Sequence, residues 1–285
     1  MCIRDSCTVG YGGHSEAMLV AYPHLLHIGI DRDREALDFS AKRLEKYKTK
    51  LYKGSFSKQF PVLNESPIVG VLADFGVSSL QLDKAERGFS FDSQRLDMRM
   101  DTSASLSAYD VVNSYTEEQL RYIFEHYGEV RQPSLVAKAI IHAREKKPIQ
   151  SAKDLADIIS TIFPKRGKIH PATLIFQAIR IEVNDELGEI ESLLDSLERQ
   201  RTDGMIVSFI TFHSLEDRLI KNRFNRWSKE CICPPEVWRC TCGKNNALGK
   251  MINRKPITAT PKEAKLNPRS RSAKLRSFCF DGVKL

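Results

Sequence analysis

Within its first 75 residues the chain switches repeatedly between short apolar runs and helix-length amphipathic stretches, and this alternation restricts the possible folds more than any other feature. Leu25 to Asp31 (LLHIGID) reads as a buried strand and Glu35 to Tyr47 as an amphipathic helix. Leu51 to Phe56 reads as a second strand and Ile68 to Phe75 (IVGVLADF) as a third. Strands separated by helices imply a parallel sheet joined by right-handed crossovers. From about Thr102 to Asp185 the pattern becomes helical only: Thr116 to Tyr127, Ser134 to Lys146, Ala152 to Phe163, and a run from near Pro171. Thr116 followed by Glu118 and Gln119, and Ser151 followed by Asp154, mark helix starts. The strand signal returns at Met205 to Phe212 (MIVSFITF), and Leu275 to Asp281 supplies a final edge strand. The expected fold is therefore α/β with an inserted α-helical domain. Residues 1–101 and 185–285 build one discontinuous domain around the sheet, and 102–184 form the insertion.

With 285 residues, 41% hydrophobic and 28% charged, the chain has ordinary globular proportions, which argues against extended disorder or a disulfide-rich miniprotein. No apolar stretch approaches the ~18 residues needed to span a bilayer, and the N-terminus lacks the basic and apolar blocks of a signal peptide. The expectation is a soluble cytoplasmic protein with no membrane partner. Charge is unevenly placed: from Lys221 onward there are 16 Lys and Arg against 4 Asp and Glu, a net +12, while everything before it is net −4. A basic C-terminal segment suits a polyanion, because each phosphate neutralised releases condensed counterions. On charge alone, a solvated basic face fits equally well.

Cys7 to Ser15 (CTVGYGGHS) precedes a helix and stands ahead of a strand ending in Asp31. Glycines in such a turn let backbone approach a ligand closely, and a following carboxylate takes ribose hydroxyls. Gly10-Tyr11-Gly12-Gly13-His14-Ser15 lacks the third glycine of the dinucleotide fingerprint, whereas Asp31 keeps the ribose-binding spacing. An adenosine ligand without a pyrophosphate fits best. At the end of the next strand, Ala73-Asp74-Phe75-Gly76-Val77-Ser78-Ser79 breaks into a polar loop. Ligands of such sheets bind beyond the carboxyl ends of the strands, so Asp31, Phe56 and Asp74 converge on one crevice; an ordinary loop cap is the competing role for Asp74.

Seven cysteines, an odd number, argue for a reducing compartment. Cys231-Ile-Cys233 and Cys240-Thr-Cys242 are separated by PPEVWR and followed by Gly243. Four thiolates at this spacing are a candidate structural zinc site, with free thiols as the alternative. Cys2, Cys7 and Cys279 have no partner pattern and are read as incidental.

The motifs CTVGYGGHS, GIDRD, ADFGVSSLQLD, AERGFSF, LDMRMD, HPATLIFQAIRIEVNDEL, FHSLEDR and NPRSRSAKLR occur in the order found in the bacterial 16S ribosomal RNA cytosine N4-methyltransferase family, which the chain resembles from residue 7 onward. The resemblance implies a Rossmann-like class I methyltransferase sheet with a helical insertion that recognises substrate. It implies S-adenosyl-L-methionine as cofactor, and as substrate a cytosine in the decoding region of the small ribosomal subunit. By position it puts cofactor binding at Gly12, Gly13, His14, Asp31, Phe56, Asp74 and Gln81. Leu174 stands where the family has arginine, and Thr211 where it has serine. Met1 to Ser6 (MCIRDS) matches nothing in the pattern and reads as a foreign leader on an N-terminally truncated chain, leaving a sheet without its central first strand.

Methyl transfer to an exocyclic amine is an in-line displacement that depends mainly on positioning. The N4 lone pair is delocalised into the ring, so an acceptor beside N4 helps. Asp74, or a carbonyl of the 74–79 loop, is the candidate, and no catalytic base is assigned. A cytosine must leave its stack to react; Phe89, Phe91 and Phe212 are the aromatic candidates to hold it. Arg87, Arg99, His213, Arg218, Arg269 and Arg271 are candidate RNA contacts, with structural ion pairing the alternative for Arg99 and Arg218. Two competing functions are an adenine or DNA amino-methyltransferase, expected to carry an Asn/Asp-Pro-Pro-aromatic motif where this chain has Asp74-Phe75-Gly76-Val77, and a non-catalytic RNA-binding or ribosome assembly protein.

Overall fold

A computed structural model describes residues 3–6, 8–63, 67–163, 170–234 and 236–281 and divides the chain into two compact units, Met1–Gly76 with Leu187–Leu285, and Val77–Glu186. In chain order the first unit begins β1 (Ile3–Ser6), α1 (Gly13–Ala21), β2 (Leu26–Asp31), α2 (Arg34–Arg43), β3 (Thr49–Lys53), α3 (Phe56–Gln59) and β4 (Ile68–Asp74). The second unit carries α4 (Ser79–Asp83), α5 (Ala108–Ser114), α6 (Glu117–His126), α7 (Pro133–Lys146), α8 (Ala152–Ile162) and α9 (Thr173–Asn184). The chain returns through α10 (Glu186–Gln200) to β5 (Ile206–Thr211), α11 (Ser214–Trp227), β6 (Gly249–Met251), β7 (Ile257–Thr258), α12 (Pro261–Leu266) and β8 (Lys274–Phe280).

The sheet of the first unit runs β3-β2-β1-β4-β5-β8-β6, with β7 also paired to β8. From β3 to β5 every pair is parallel, and β8 is antiparallel to β5, β6 and β7. Three of its parallel strands, β2, β4 and β5, read as apolar runs, the pattern of parallel strands covered on both faces: Ile28, Ile30, Ala73, Val207 and Phe209 are inaccessible. In β8 alternation takes over, with Phe278 and Phe280 inward. These two rings pack with Phe224 and Trp227 of α11, centroids 4.7 to 5.6 Å apart, and the Trp227 indole N–H donates to Glu198 at 2.7 Å. Beside that cluster the buried Arg276 guanidinium grips Asp217 through both oxygens at 2.7 and 3.2 Å, and Lys274 adds a third contact at 3.2 Å.

Three expectations are corrected in this unit. Ile3–Ser6 is a strand, and it holds the central place, with Ser6 opposite Gly29 of β2 and Leu72 of β4. The sheet does not lack that strand: ladder pairing uses backbone groups that any residue supplies. The second expected strand lies earlier, at Thr49–Lys53, because Gly54 (φ +147°) breaks the extended run and Ser55 leads into α3. Finally, β8 is an interior strand, since β6 and β7, too short for any periodic signal, pair with it.

The second unit has its own core, built from Val111, Leu120, Phe124, Ile140, Leu155, Ile159, Ile175 and Ile179 among others. Reciprocal capping boxes start α5 (Ser107 with Asp110), α6 (Thr116 with Gln119) and α8 (Ser151 with Asp154), each satisfying two otherwise orphan N–H groups. Arg144 of α7 donates to the carbonyls of Val112 and Tyr115 at 2.7 Å each, at the C-terminal end of α5. The unit begins at Val77, earlier than residue 102, because the irregular segment after α4 puts Phe89, Leu96 and Met98 into this core. Asn184 fixes that segment, donating to the Met98 carbonyl and accepting from the Met100 N–H, both at 2.8 Å.

Candidate functional site

In the first unit the parallel strands run outward in both directions from the β1/β4 pair, so the chain's winding reverses there. Such a switch point opens a crevice at the carboxyl ends of the strands. The glycine turn leaves β1 at this end. Gly10 (φ +51°) and Gly12 (φ +76°) hold left-handed conformations that cost a side-chain-bearing residue ~1–2 kcal/mol. Gly12 is the N-cap of α1, and it has no side chain to cap the helix. The first-turn N–H groups at Gly13, His14 and Ser15 lie beyond the reach of intrahelical acceptors, an arrangement suited to an anionic group.

Asp31, the last residue of β2, clamps this turn. Its Oδ2 accepts from Gly10 N–H at 2.8 Å and its Oδ1 from Asp33 N–H at 2.9 Å. Each carboxylate oxygen retains a second lone pair for a ligand hydroxyl. Burial pushes the Asp31 carboxyl above its ordinary range, while the two backbone N–H groups pull it the other way. The Ser40 hydroxyl donates to the Gly10 carbonyl at 2.6 Å. Gly54 N–H, after β3, donates to the Asp31 carbonyl at 2.9 Å, which brings the start of α3 alongside. There Phe56 is buried, its ring 5.9 Å from that of Phe75.

On the other side of the switch point, Asp74 ends β4. Its N–H donates to the Thr8 hydroxyl at 2.6 Å, and its Oδ2 lies 3.3 Å from His14 Nε2. The hydrogen bond to Asp74 raises the His14 pKa, with burial opposing it. The Oδ1 of Asp74 is buried and has no hydrogen-bond partner among the described residues. A buried acceptor without a donor costs ~1–3 kcal/mol, and a ligand N–H or O–H would remove that cost. Phe212, after β5, lies against Gly76, where an added Cβ would meet its ring at 3.5 Å.

The structure thus brings Gly12, Gly13, His14, Asp31, Phe56 and Asp74 to one end of the sheet. Thr8, Asp33 and Ser40 complete the framework, and sequence reasoning missed them; only Asp33, an N-cap two residues before Glu35, carried a readable signal. Gln81 belongs to the second unit, where its side-chain oxygen accepts from Ser78 N–H at 2.9 Å. In that unit Phe89 is a core residue, and Phe91 stacks on His170 with centroids 4.5 Å apart. Arg87 is buried and donates to the carbonyls of Arg99 and Met100 at 3.1 and 2.9 Å. Arg99 holds Asp97 through two bonds of 2.9 and 2.8 Å and donates to the Ala104 carbonyl. His213 caps α11, with Nε2 3.1 Å from Glu216. Arg218, Arg269 and Arg271 are exposed. The thiols of Cys231, Cys233, Cys240 and Cys242 come together in the loop after α11, and Cys242 is drawn down to about 6 by the N–H groups of Lys244 and Ile232. Cys279 lies apart on β8, whereas Cys2 and Cys7 fall outside the described residues.

Known proteins are similar in sequence to this chain over nearly its full length. A protein of Sulfurovum sp. (strain NBC37-1) named ribosomal RNA small subunit methyltransferase H is 63% identical over 276 residues, covering 96% of this chain and 90% of that protein. Proteins of the same name from a Nitratiruptor species and from Wolinella succinogenes are each 55% identical with the same coverage of both chains. Residues 4–280 match the profile of the MraW methylase family. On this likeness, and with a glycine turn, Asp31 and Asp74 gathered at the switch point of its sheet, the chain belongs to the MraW methylase family.

Proposed function

We propose that this protein is an S-adenosyl-L-methionine-dependent methyltransferase of small-subunit ribosomal RNA, acting on the exocyclic N4 amine of a cytosine in the decoding region. The observation that carries the reading is the buried, unpartnered Oδ1 of Asp74, at the mouth of the crevice that the glycine turn and Asp31 frame. When bound, S-adenosylmethionine supplies an electrophilic methyl group on a sulfonium. The chain's residues fit it: the open first turn of α1 suits its carboxylate, and Asp31 has lone pairs for two ribose hydroxyls. Phe56, buried at the start of α3, is assigned to the same ligand.

The Asp74 Oδ1 accepts an N–H of the target amine. That bond would favour a pyramidal N4 whose lone pair is free for an in-line displacement, and catalysis is then mainly positioning. His14 fixes the carboxylate through the other oxygen. Phe212, at the edge of the 74–76 loop, is the aromatic surface for the unstacked base. Of the candidate RNA contacts, Arg218, Arg269 and Arg271 are exposed and are assigned to phosphate, whereas Arg87 and Arg99 donate to groups within the second unit. The helical unit supplies substrate shape recognition, the partner is the small ribosomal subunit, and the setting is cytoplasmic.

The test is mass spectrometry of nucleosides from 30S subunits or 16S ribosomal RNA incubated with the protein and isotopically labelled S-adenosylmethionine. Labelled N4-methylcytidine is expected with the wild-type chain and is lost with Asp74→Asn. Binding of cofactor and RNA with no labelled nucleoside would refute the reading in favour of a non-catalytic assembly protein.

A further inference from the structure

The segment between α11 and β6 poses a stability problem. Among its described residues from 229 to 247 none is buried, and none lies in a helix or strand. Its large apolar side chains face solvent: Ile232 is 62% exposed and Trp238 fully so. Hydrogen bonds from Asn246 to the Glu230 and Cys242 carbonyls tie the base of the loop together, and among the described residues no hydrophobic core supports its tip. Segments that cannot build a core are ordered by disulfides or metal ions.

The four thiols of this loop have a geometry that selects between those options. The Cys231–Cys240, Cys231–Cys242, Cys233–Cys240 and Cys240–Cys242 sulfur separations are 3.6, 3.7, 3.9 and 3.5 Å, and all four sulfurs lie within 4.8 Å of one another. These distances far exceed the ~2.05 Å of a disulfide. A regular tetrahedron whose centre is about 2.3 Å from each sulfur, the Zn–S distance, has an edge of about 3.8 Å. The sulfurs therefore sit near the corners of a tetrahedron sized for one ion. A multinuclear iron–sulfur cluster would hold them farther apart.

The backbone around the thiols fits the same reading. Ile232 N–H donates to Cys242 Sγ and Thr241 N–H to Cys233 Sγ, both at 3.4 Å. Each bond runs from one Cys-x-Cys pair to a sulfur of the other and disperses thiolate charge, the usual second layer of a metal-thiolate centre. Gly243 (φ +75°) and Lys244 (φ +54°) then turn the chain sharply away. Cys279, partly buried on β8, takes no part.

We infer that Cys231, Cys233, Cys240 and Cys242 form a mononuclear tetrathiolate zinc site, and that the ion replaces a hydrophobic core in ordering the loop from 229 to 247. Each thiol loses its proton to solvent as the metal–sulfur bond forms, and no redox change is involved. The site is independent of the methyl-transfer chemistry, so failure of either proposal leaves the other standing.

The experiment is elemental analysis of the full-length protein, purified under reducing conditions, exposed to Zn2+ and passed through a desalting column. About one zinc per chain is expected, retained against a weak chromophoric chelator. Cobalt substitution should give the intense visible absorption and thiolate-to-metal charge-transfer band of a tetrahedral tetrathiolate. Cys231→Ser combined with Cys240→Ser should lower bound zinc at least roughly tenfold, whereas Cys279→Ser should leave it unchanged. In the wild-type chain, stripping the ion should speed tryptic cleavage after Arg239 and Lys244 by roughly tenfold, a readout that needs no variant to fold. Failure of the reduced wild-type protein to retain zinc, stoichiometric iron in its place, loss of metal in Cys279→Ser, or equal cleavage rates with and without the ion would each overturn the assignment.

Discussion

Replacing Asp31 tests the cofactor end of the crevice most directly, because the same carboxylate has two separable duties. It accepts the Gly10 and Asp33 N–H groups, which fixes the turn, and under the proposed function its remaining lone pairs take the ribose hydroxyls. Asp31→Ala removes both. Hydrogen bonds to a charged group are worth ~1.5–3 kcal/mol, which corresponds to a loss of S-adenosylmethionine affinity of about 10- to 150-fold. The change in folding stability is smaller than the removal of two bonds suggests. Burial already disfavours the ionised carboxylate, as its raised pKa records, and removing it relieves that cost. Asp31→Asn keeps the shape but turns an amide NH2 toward one of the two backbone donors, so its affinity should fall almost as far. Calorimetric titration gives the affinities, and thermal unfolding of the unliganded proteins gives the stability change. If both variants bind S-adenosylmethionine as tightly as the wild type, Asp31 is a turn clamp only and the ribose assignment is wrong, whatever happens to the melting temperature.

Two further outcomes follow from charges elsewhere in the first unit. Burial raises the Asp217 pKa, but the bonds from Arg276 and Lys274 outweigh it and hold the carboxyl below its ordinary 3.8. A depressed folded-state pKa adds stability that is complete above the unfolded value and disappears as pH falls through the folded one. Asp217→Asn should therefore lower the melting temperature near neutrality and flatten its decline below about pH 4, and parallel acid limbs in the two proteins would contradict this. Substituting Arg269 and Arg271 together by Gln should reduce the slope of log affinity against log salt for a decoding-region RNA by about 1.5, at ~0.7–0.9 for each phosphate that is no longer neutralised. S-adenosylmethionine binding should not change; an unaltered salt slope would make both residues part of a solvated face.

The parts of this fold that announce themselves in the sequence are those with a private chemical signal. Ser151 and Asp154, or Thr116 and Gln119, stand three apart before an apolar helix face, and each pair forms the expected reciprocal cap. Runs such as IVGVLADF mark buried parallel strands because no water-facing side remains to impose polar alternation. By contrast β1 is four residues long and contains a single aliphatic side chain, so its central place comes from the strands on either side rather than from its own composition. At the candidate site, Asp31 and the glycine turn were readable from spacing, since the carboxylate must reach back over a fixed crossover. Arg87 was not: whether a guanidinium faces solvent or two carbonyls depends on a loop conformation set by Asn184, nearly a hundred residues away.

The neighbours β4 and β5 pair in register from Gly70 opposite Ile206 to Asp74 opposite Ile210, yet the whole second unit lies between them in the chain. During synthesis the free side of β4 therefore emerges long before the strand that will cover it. At ~5–20 residues per second, the interval until β5 follows is roughly 7–26 s. Throughout that time the nascent sheet exposes a row of unpaired N–H and C=O groups, the kind of edge that recruits wrong partners. Val77–Glu186 is contiguous and contains all the members of its own core, so it can collapse while the sheet waits. The chain order thus allows the inserted helices to form before β4 meets β5, and β8 reaches the other side of β5 later still.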